Sequence, residues 1–377
     1  MFMSNIYLLL LLLGLSFLII LALEKSGKIK VERHFILLIF RTEKGKRFIS
    51  KLAKYRGFWK LFGYLGIIVG FIGMILVIYS LLLTLHSKYI IGVNMVGVKA
   101  VIPGVTIPFW YGIIGLITVL VVHEFAHGIL AKSEGISLKS LGIVSLSIIP
   151  IGAFVEPNED EMKSKSRGSR LRVYSAGSFA NIILAILALG GLTLLSGIIF
   201  DYSKVQISEV SDSSPASEYL EVGMVIERIN GNSVTSLDEF FEIMTGIKPN
   251  DSVQIYTDSG VFSIIATKRE DDSSRGFIGV VVTNSLEKGI TNIFGKSLPL
   301  VLYFSLYWIF FLNQGIGLIN LAPIHLGIAA TDGHHMLKEI FSGVIKEKDA
   351  EKLSYFVSSI TLLAILFTII DIRKGLF

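Results

Sequence analysis

The chain contains six long apolar segments separated by polar ones. They cover residues 6–23, 62–85, 109–131, 176–200, 298–321 and 355–370. A helix needs about 20 mainly apolar residues to cross a bilayer. The pattern therefore predicts a multi-span α-helical membrane protein with about six transmembrane helices and the lipid bilayer as a partner. We expect the first segment to be a retained helix, because it lacks the basic start and the cleavage site of a signal peptide.

A different pattern covers residues 203–283, where short alternating apolar runs are separated by turn signals such as Asn230-Gly231. We predict strands at 205–210, 225–229, 252–256, 261–266 and 276–281, and helices at 215–220 and 237–244. This is the pattern of a small α+β domain placed between two spans, and we call residues 203–285 the inserted domain. The predicted parts are then 1–60 (first span and basic loop), 61–202 (first part of the membrane core), 203–285 and 286–377 (second part of the core and last span).

Composition agrees with the bilayer and limits the chemistry. The 377 residues are 52% hydrophobic and 17% charged, and the mean hydropathy is +0.67, which is too apolar for an ordinary soluble domain. The chain has no cysteine, so disulfides and thiolate ligands are excluded, and any metal must be held by nitrogen and oxygen atoms. The net charge of +5 lies mostly in loops beside the spans, so we expect no nucleic-acid partner.

The basic loops also predict orientation. Basic residues dominate 25–60 and recur between Lys132 and Arg172, and such loops are typical of the cytoplasmic side. Alternation of the spans then places the inserted domain outside the cytoplasm. We expect a multi-pass protein of the cell membrane with the loop 25–60 in the cytoplasm.

The strongest chemical signal is His123-Glu124-Phe125-Ala126-His127, which fits the pattern H-E-x-x-H. Positions i and i+4 project from one face of a helix, so His123 and His127 can reach one metal ion, and Glu124 lies beside them as a general base. Two satisfied core histidines are the alternative, but ionisable groups within an apolar span are costly and usually functional. A catalytic zinc needs a third protein ligand, and Asp332, His334 and His335 are the candidates.

The chain resembles the site-2 protease family of intramembrane metalloproteases in several motifs. These are His123 to His127, Gly177 to Asn181, the segment 152–157, Asn320-Leu321-Ala322-Pro323 and Asp332-Gly333. The resemblance implies a zinc enzyme that cuts transmembrane proteins, with Asp332 as the third ligand. It further implies that Asn181 helps to position substrate and that 152–157 pairs with an unwound substrate, and we expect Asn181 or Asn320 to stabilise the oxyanion.

One departure from the family pattern concerns the distance between two of these motifs. The family places its Asp-Gly soon after the Asn-x-x-Pro stretch, whereas residues 324–331 intervene here. We expect this segment to form an extra helical turn or a re-entrant loop that returns Asp332 to the two histidines.

The inserted domain resembles a PDZ domain through Ser214-Pro215-Ala216, Gly223 and Ile229-Asn230-Gly231. The resemblance implies a peptide ligand, although Met224 stands where many relatives have Asp. Two alternatives stay open at this point. One is a membrane-anchored zincin of another family with a glutamate as third ligand, and the other is a non-catalytic membrane scaffold that binds peptides through the PDZ-like domain.

Overall fold

The structure is a computed structural model that describes residues 2–26, 31–34, 37–43, 45–93, 101–147, 149–269, 272–327 and 329–369. It divides the chain into two compact units, Met1–Gly190 with Phe304–Phe377, and Gly191–Tyr303. The first unit is mainly helical, and the second is built on a β-sheet. The last residue of the segment predicted at 355–370 lies outside the described residues.

The first half of the chain combines long helices with one sheet. In chain order its elements are α1 (Phe2–Lys25), β1 (Glu32–His34), β2 (Leu37–Thr42), α2 (Lys46–Leu52), α3 (Arg56–His86) with a π-helical continuation (Ser87–Ile91), α4 (Phe109–Ser133), β3 (Leu138–Leu146), β4 (Ile149–Pro157), α5 (Glu159–Ser164) and α6 (Arg167–Ile199).

The remaining elements are β5 (Phe200–Val210), β6 (Val225–Ile229), β7 (Asn232–Ser233), α7 (Leu237–Thr245), β8 (Ser252–Thr257), β9 (Gly260–Ile265), β10 (Thr267–Lys268), β11 (Gly276–Phe277), β12 (Val280–Leu286), α8 (Lys288–Phe294), α9 (Ser297–Ile319), α10 (Asp332–Phe341) and α11 (Glu347–Ile369).

Five helices of the described residues are long and apolar enough to cross a membrane. They are α3 with its π-helical continuation, α4, α6, α9 and α11. Helix α1 has 24 residues and covers the first predicted segment. The predicted fold class is confirmed: the chain is a multi-pass helical membrane protein with a small α+β domain.

A four-stranded antiparallel sheet belongs to the helical unit, with the strand order β1-β2-β3-β4. The sequence pattern predicts only a basic loop at 25–60, but the structure forms β1, β2 and α2 there. Strand β2 pairs with β3 through Leu38↔Ser145 and its neighbours, and the Leu38 side chain is fully buried. Among the described residues, β4 pairs with β3 on one side, and on the other side the Val155 N–H of β4 donates to Glu124 of α4.

Small residues let α4 and α6 approach each other closely. Ala126 and Ala131 of α4 pack in one buried cluster with Ala176 and Ala180 of α6. In membrane helices such residues are favoured at contacts because packing, rather than water exclusion, drives association. The close approach brings the backbone of α6 against the histidine face of α4.

The second unit contains a six-stranded sheet, ordered β12-β5-β6-β8-β9 with β7 paired to β6. Two local predictions were wrong. The segment 215–220 forms successive turns rather than a helix, because the Ala216 N–H bonds across to the Ile278 carbonyl at 2.9 Å. The strand predicted at 276–281 is interrupted by Gly279, which has a φ of 87° and separates β11 from β12.

Candidate active site

Helix α4 places the side chains of His123 and His127 next to each other in the interior of the helical unit. Their Nε2 atoms lie 3.1 Å apart, as expected for positions i and i+4 on one helix face. The His123 side chain is buried and that of His127 is nearly so. Two imidazoles in this position can bind one cation.

Asp332 is the third member of the cluster. Its Oδ1 lies 3.2 Å from His127 Nε2, and its Oδ2 lies 3.7 Å from His123 Nε2. One potential ligand atom from each of the three residues falls within 4.8 Å of the other two. Among the described residues this is the one group of His, Asp or Glu side chains close enough together to hold a metal ion.

The start of α10 fixes the position of Asp332. Thr331 caps the helix by accepting a hydrogen bond from the His334 N–H. The Gly333 N–H donates to the Asn320 carbonyl at 2.9 Å, and a Cβ on Gly333 would lie 2.1 Å from the Leu321 carbonyl oxygen. A glycine is therefore required after Asp332, because only its bare backbone fits against the end of α9.

Hydrogen bonds from α6 orient two of the three side chains. His127 Nδ1 lies 2.7 Å from the Val173 carbonyl oxygen, so Nδ1 carries the proton and the lone pair of Nε2 faces the cluster. Ser178 Oγ donates to Asp332 Oδ2 at 2.6 Å. Such partners fix the ring and carboxylate orientations that a metal site needs.

Asn181 acts on the remaining ligand candidate. Its amide nitrogen lies 3.2 Å from His123 Nδ1, and its Oδ1 is buried with no hydrogen-bond partner among the described residues. If His123 bound a metal through Nε2, its Nδ1 would carry a proton. A half-turn of the amide would then let Oδ1 accept a hydrogen bond from this N–H, which gives a partner both to the His123 N–H and to the Asn181 oxygen. The orphaned oxygen thus fits a metal-binding histidine.

The backbone of Gly177 packs directly against the two imidazole rings of the cluster. A Cβ at this position would lie 2.3 Å from His127 Nε2 and 2.6 Å from His123 Cε1. Any side chain here would displace at least one imidazole, since real Cβ contacts are never this short. The glycine of the Gly177 to Asn181 motif is therefore explained by the space that the two rings occupy.

Glu124 lies outside the ligand group, at the edge of strand β4. Its Oε2 accepts a hydrogen bond from the Val155 N–H at 2.9 Å. Since β3 lies on the other side of β4, this N–H belongs to the edge of β4 that is not paired with a described strand. The carboxylate therefore sits between the histidine helix and a backbone edge that a further extended segment can reach.

The other predicted candidates point elsewhere. His334 Nδ1 lies 2.7 Å from Ser358 Oγ of α11, and the His335 ring stacks on Tyr174 with centroids 4.8 Å apart. Asn320 contributes its backbone carbonyl to Gly333, and its side chain makes no hydrogen bond within the described part of the chain. The segment 324–331, apart from residue 328, is a loop whose ends form a β-bridge between His325 and Ala330.

The sequence analysis did not single out three residues that form polar contacts in or near the site. Ser178 lies inside the Gly177 to Asn181 motif, where a hydroxyl in an apolar helix was an available signal. Asn313 is fully buried in α9 and donates to Thr118 of α4 at 3.0 Å, and a polar amide within a span was again a signal. Val173 acts through its carbonyl, so its side chain gave none.

The donor set suits zinc. Two imidazole nitrogens and one carboxylate oxygen leave a fourth position open, which is the arrangement of catalytic rather than structural zinc. The unpaired Asn181 oxygen and the space that Gly177 leaves for both imidazoles agree with this, so the residues fit a zinc ion. A buried site of this kind, on membrane-spanning helices and with a glutamate beside the three candidate ligands that is not one of them, is typical of a membrane-embedded metallohydrolase.

Comparison with known proteins identifies the family. The profile of Peptidase family M50 matches residues 111–367. An uncharacterized protein of Methanocaldococcus jannaschii is 33% identical over 319 residues, covering 82% of this chain and 79% of the relative. A membrane-bound transcription factor site-2 protease homolog of Arabidopsis thaliana is 27% identical, covering 50% of this chain and 38% of that protein.

Two further matches concern smaller parts of the chain. A putative zinc metalloprotease of Clostridium perfringens is 29% identical, covering 34% of this chain and 45% of the relative. The PDZ domain of an SdrC-like protein from Listeria monocytogenes is 28% identical, with a TM-score of 0.20, and covers 22% of this chain and 90% of that one. The chain spans less than half the length of the Arabidopsis and Clostridium relatives.

The chain belongs to Peptidase family M50. It is an intramembrane zinc metalloprotease whose substrates are membrane proteins, and the prediction of family, enzyme class and zinc is confirmed. The zincin of another family and the non-catalytic scaffold are thereby set aside.

Proposed function

We propose that His123, His127 and Asp332 hold the catalytic zinc and that Glu124 is the general base in cleavage of transmembrane proteins. The observation that carries this assignment is the buried cluster itself, in which each side chain of the three is oriented by a separate partner on α6. Bound there, zinc would acidify a water molecule and polarise the scissile carbonyl. Every other step is supplied by side chains and backbone groups of the chain.

Glu124 accepts the proton released by the attacking water and passes it to the leaving amine, first as base and then as acid. Its carboxylate is suited to this because it is adjacent to the histidines in sequence yet outside the ligand group. Asn181 orients His123 through the Nδ1 contact. The oxyanion role then falls to Asn320, whose side chain is not engaged elsewhere in the described residues.

The substrate backbone is held by strand addition to β4. A transmembrane helix hides its amides in internal hydrogen bonds, so it must unwind before it is cut. An extended segment pairs with the edge of β4 that faces away from β3, where the backbone groups of Ala153 and the carbonyl of Val155 point outward. Because Val155 already contacts Glu124, a segment bound there lies beside the base.

Substrate identity is tested in cells. Membrane fractions from cells with the unaltered enzyme are compared by quantitative proteomics with fractions from cells carrying Glu124→Gln. We expect at least one single-span protein to accumulate only with the variant, because binding persists while cleavage stops. Identical membrane proteomes in cells that express both forms equally would contradict the proposed substrate class.

The third ligand is tested by three variants. We expect Asp332→Asn to reduce zinc affinity by about 10- to 100-fold and to abolish cleavage, since a weaker neutral ligand replaces a carboxylate. His334→Ala and His335→Ala serve as controls, because these rings contact Ser358 and Tyr174 instead. Zinc content by elemental analysis decides the matter, and loss of zinc from a histidine variant with retention in Asp332→Asn would reverse the assignment.

We further propose that the loop 25–60 is cytoplasmic and that the inserted domain lies outside the cytoplasm. The cysteine-free chain allows a direct test with Lys51→Cys and Ser259→Cys, both at exposed positions. An impermeant thiol reagent applied to intact cells should label only the cysteine at position 259, and both should react after lysis. Labelling at position 51 alone in intact cells would invert the topology.

A further inference from the structure

A polar pocket lies where three membrane spans end on the same face of the helical unit. It is a cavity of about 810 Å³ between the start of α3, the end of α4 and the start of α6. The charged residues that line it are Arg56, Lys60, Glu134, Lys165 and Arg172. Neither the zinc site nor the proposed substrate strand uses any of these side chains.

One acid and one base in the pocket neutralise each other. Arg172 Nε and Nη2 donate to the two carboxylate oxygens of Glu134 at 2.7 and 2.9 Å. Burial alone would raise the pKa of Glu134, but hydrogen bonds from Arg172 and Ser169 and the charges of Arg172 and Lys60 lower it below its ordinary value. Glu134 therefore stays ionised and is fully engaged by Arg172.

The pocket keeps an excess of positive charge. Arg56, Lys60 and Lys165 line it, and none of them forms an ion pair with another described residue. With Glu134 and Arg172 cancelling, the side chains that line the pocket carry the charge of three cations, and the charge of Lys165 also acts on Glu161 outside the lining. Hydroxyls of Ser166, Ser169 and Tyr64 lie in the same wall. A cavity lined by cations and hydroxyl groups is suited to a phosphate group.

The ends of three candidate spans place the pocket at the expected level of the lipid headgroups. Spans α3 and α6 begin at Arg56 and Arg167, and span α4 ends at Ser133, so all three reach the membrane surface here. The Tyr64 ring is 47% exposed, and the Arg172 guanidinium lies 4.7 Å from its centroid. Tyr64 is thus the aromatic part of the pocket wall on α3.

An exposed apolar stripe runs along α3 beside the pocket, and its first two residues directly follow the pocket residues Lys60 and Tyr64 in the chain. Leu61, Leu65, Ile68 and Ile72 recur at helical spacing, and their side chains are 60%, 46%, 57% and 53% exposed. A free phosphate would fill only the pocket. A phospholipid would fill the pocket with its headgroup and cover the stripe with an acyl chain, so the stripe favours the lipid as the source of the phosphate.

We propose that this pocket binds the phosphate of an anionic phospholipid, with an acyl chain lying along the α3 stripe. Basic pockets between membrane helices bind anionic headgroups by charge and hydrogen bonding. The bound lipid would bridge the starts of α3 and α6 next to α4, and so support the helices that carry the zinc ligands. The lipid is a ligand of the enzyme and not its substrate.

Native mass spectrometry of the full chain in detergent tests the proposal. The probes are short-chain phosphatidylglycerol, short-chain phosphatidylcholine and inorganic phosphate. The pocket variant is Arg56→Gln/Lys60→Gln/Lys165→Gln. The matched control is Arg47→Gln/Lys51→Gln/Lys54→Gln, which removes the same charge from exposed positions of the neighbouring segment that do not line the pocket.

We expect phosphatidylglycerol to bind the unaltered chain more tightly than phosphatidylcholine, and the pocket variant to weaken it by about 10- to 100-fold. The control should bind almost as the unaltered chain does. Equal weakening in both triple variants would overturn the pocket, since it would show general charge attraction. If inorganic phosphate bound as tightly as phosphatidylglycerol, the proposal that the ligand is a phospholipid would be wrong. If the pocket variant fails to fold, the exposed single change Lys60→Gln gives the same comparison against Lys54→Gln.

Discussion

Replacing Glu124 by Gln is expected to reduce cleavage by about 100- to 10,000-fold, the usual contribution of a positioned general base. The amide keeps the shape of the side chain and can still contact the Val155 N–H through its oxygen. It cannot take up the proton of the attacking water. Zinc content should be unchanged, because the proposed ligand group is His123, His127 and Asp332, without Glu124.

The measurement is turnover of a purified transmembrane substrate together with zinc per chain. Glu242→Gln provides the matched control, since this glutamate is exposed on α7 of the inserted domain and should leave both quantities unchanged. Loss of zinc from Glu124→Gln would show that Glu124 is a ligand. Full activity in the variant would remove it from the mechanism altogether.

The second large effect is expected from Gly177→Ala. The new Cβ would lie 2.3 Å from His127 Nε2 and 2.7 Å from His123 Nδ1, so the rings must separate or α6 must retreat from α4. Either movement disturbs the ligand geometry, and we expect zinc affinity and cleavage to fall by more than about 10-fold, as for other changes that disturb ligand orientation.

The same helix offers a matched control. Gly190 has open space around its Cβ position, so Gly190→Ala adds the same methyl group without a clash. Alanine is favoured over glycine within a helix by roughly 0.5–1 kcal/mol, and this variant should therefore keep its zinc and its activity. Thermal unfolding of both variants separates local distortion from loss of fold. Normal zinc binding by Gly177→Ala would contradict the packing argument.

The sequence predicted the parts of the site that local geometry determines. The i, i+4 spacing of His123 and His127 is enough to place two rings on one helix face. Assignment of Asp332 needed the family resemblance, because nothing local shows that α10 returns to α4. The structure places its carboxylate beside both rings and turns His334 and His335 towards other helices.

The errors arose where distant segments decide the conformation. Strands β1 and β2 are short and lie in a strongly basic segment. Strand β2 pairs with β3, about 100 residues later, and β1 then pairs with the other edge of β2. The helix predicted at 215–220 failed because Ala216 pairs with Ile278 instead. Val173 contacts His127 of α4, and Ser178 contacts Asp332 of α10. A local sequence pattern does not show which distant residue each of them contacts.

The junction between α9 and α10 constrains how substrate can enter. Gly333 touches Leu321 backbone to backbone and donates to the Asn320 carbonyl, so no flexible side chain can absorb relative movement there. Displacement of the end of α9 would carry Asp332 with it and break the cluster with His123 and His127. If α9 and α10 separated at this junction to admit a substrate, the enzyme would lose the arrangement of its proposed zinc ligands. We therefore expect substrate to enter through movement of other helices, while α9 and α10 keep their relative position.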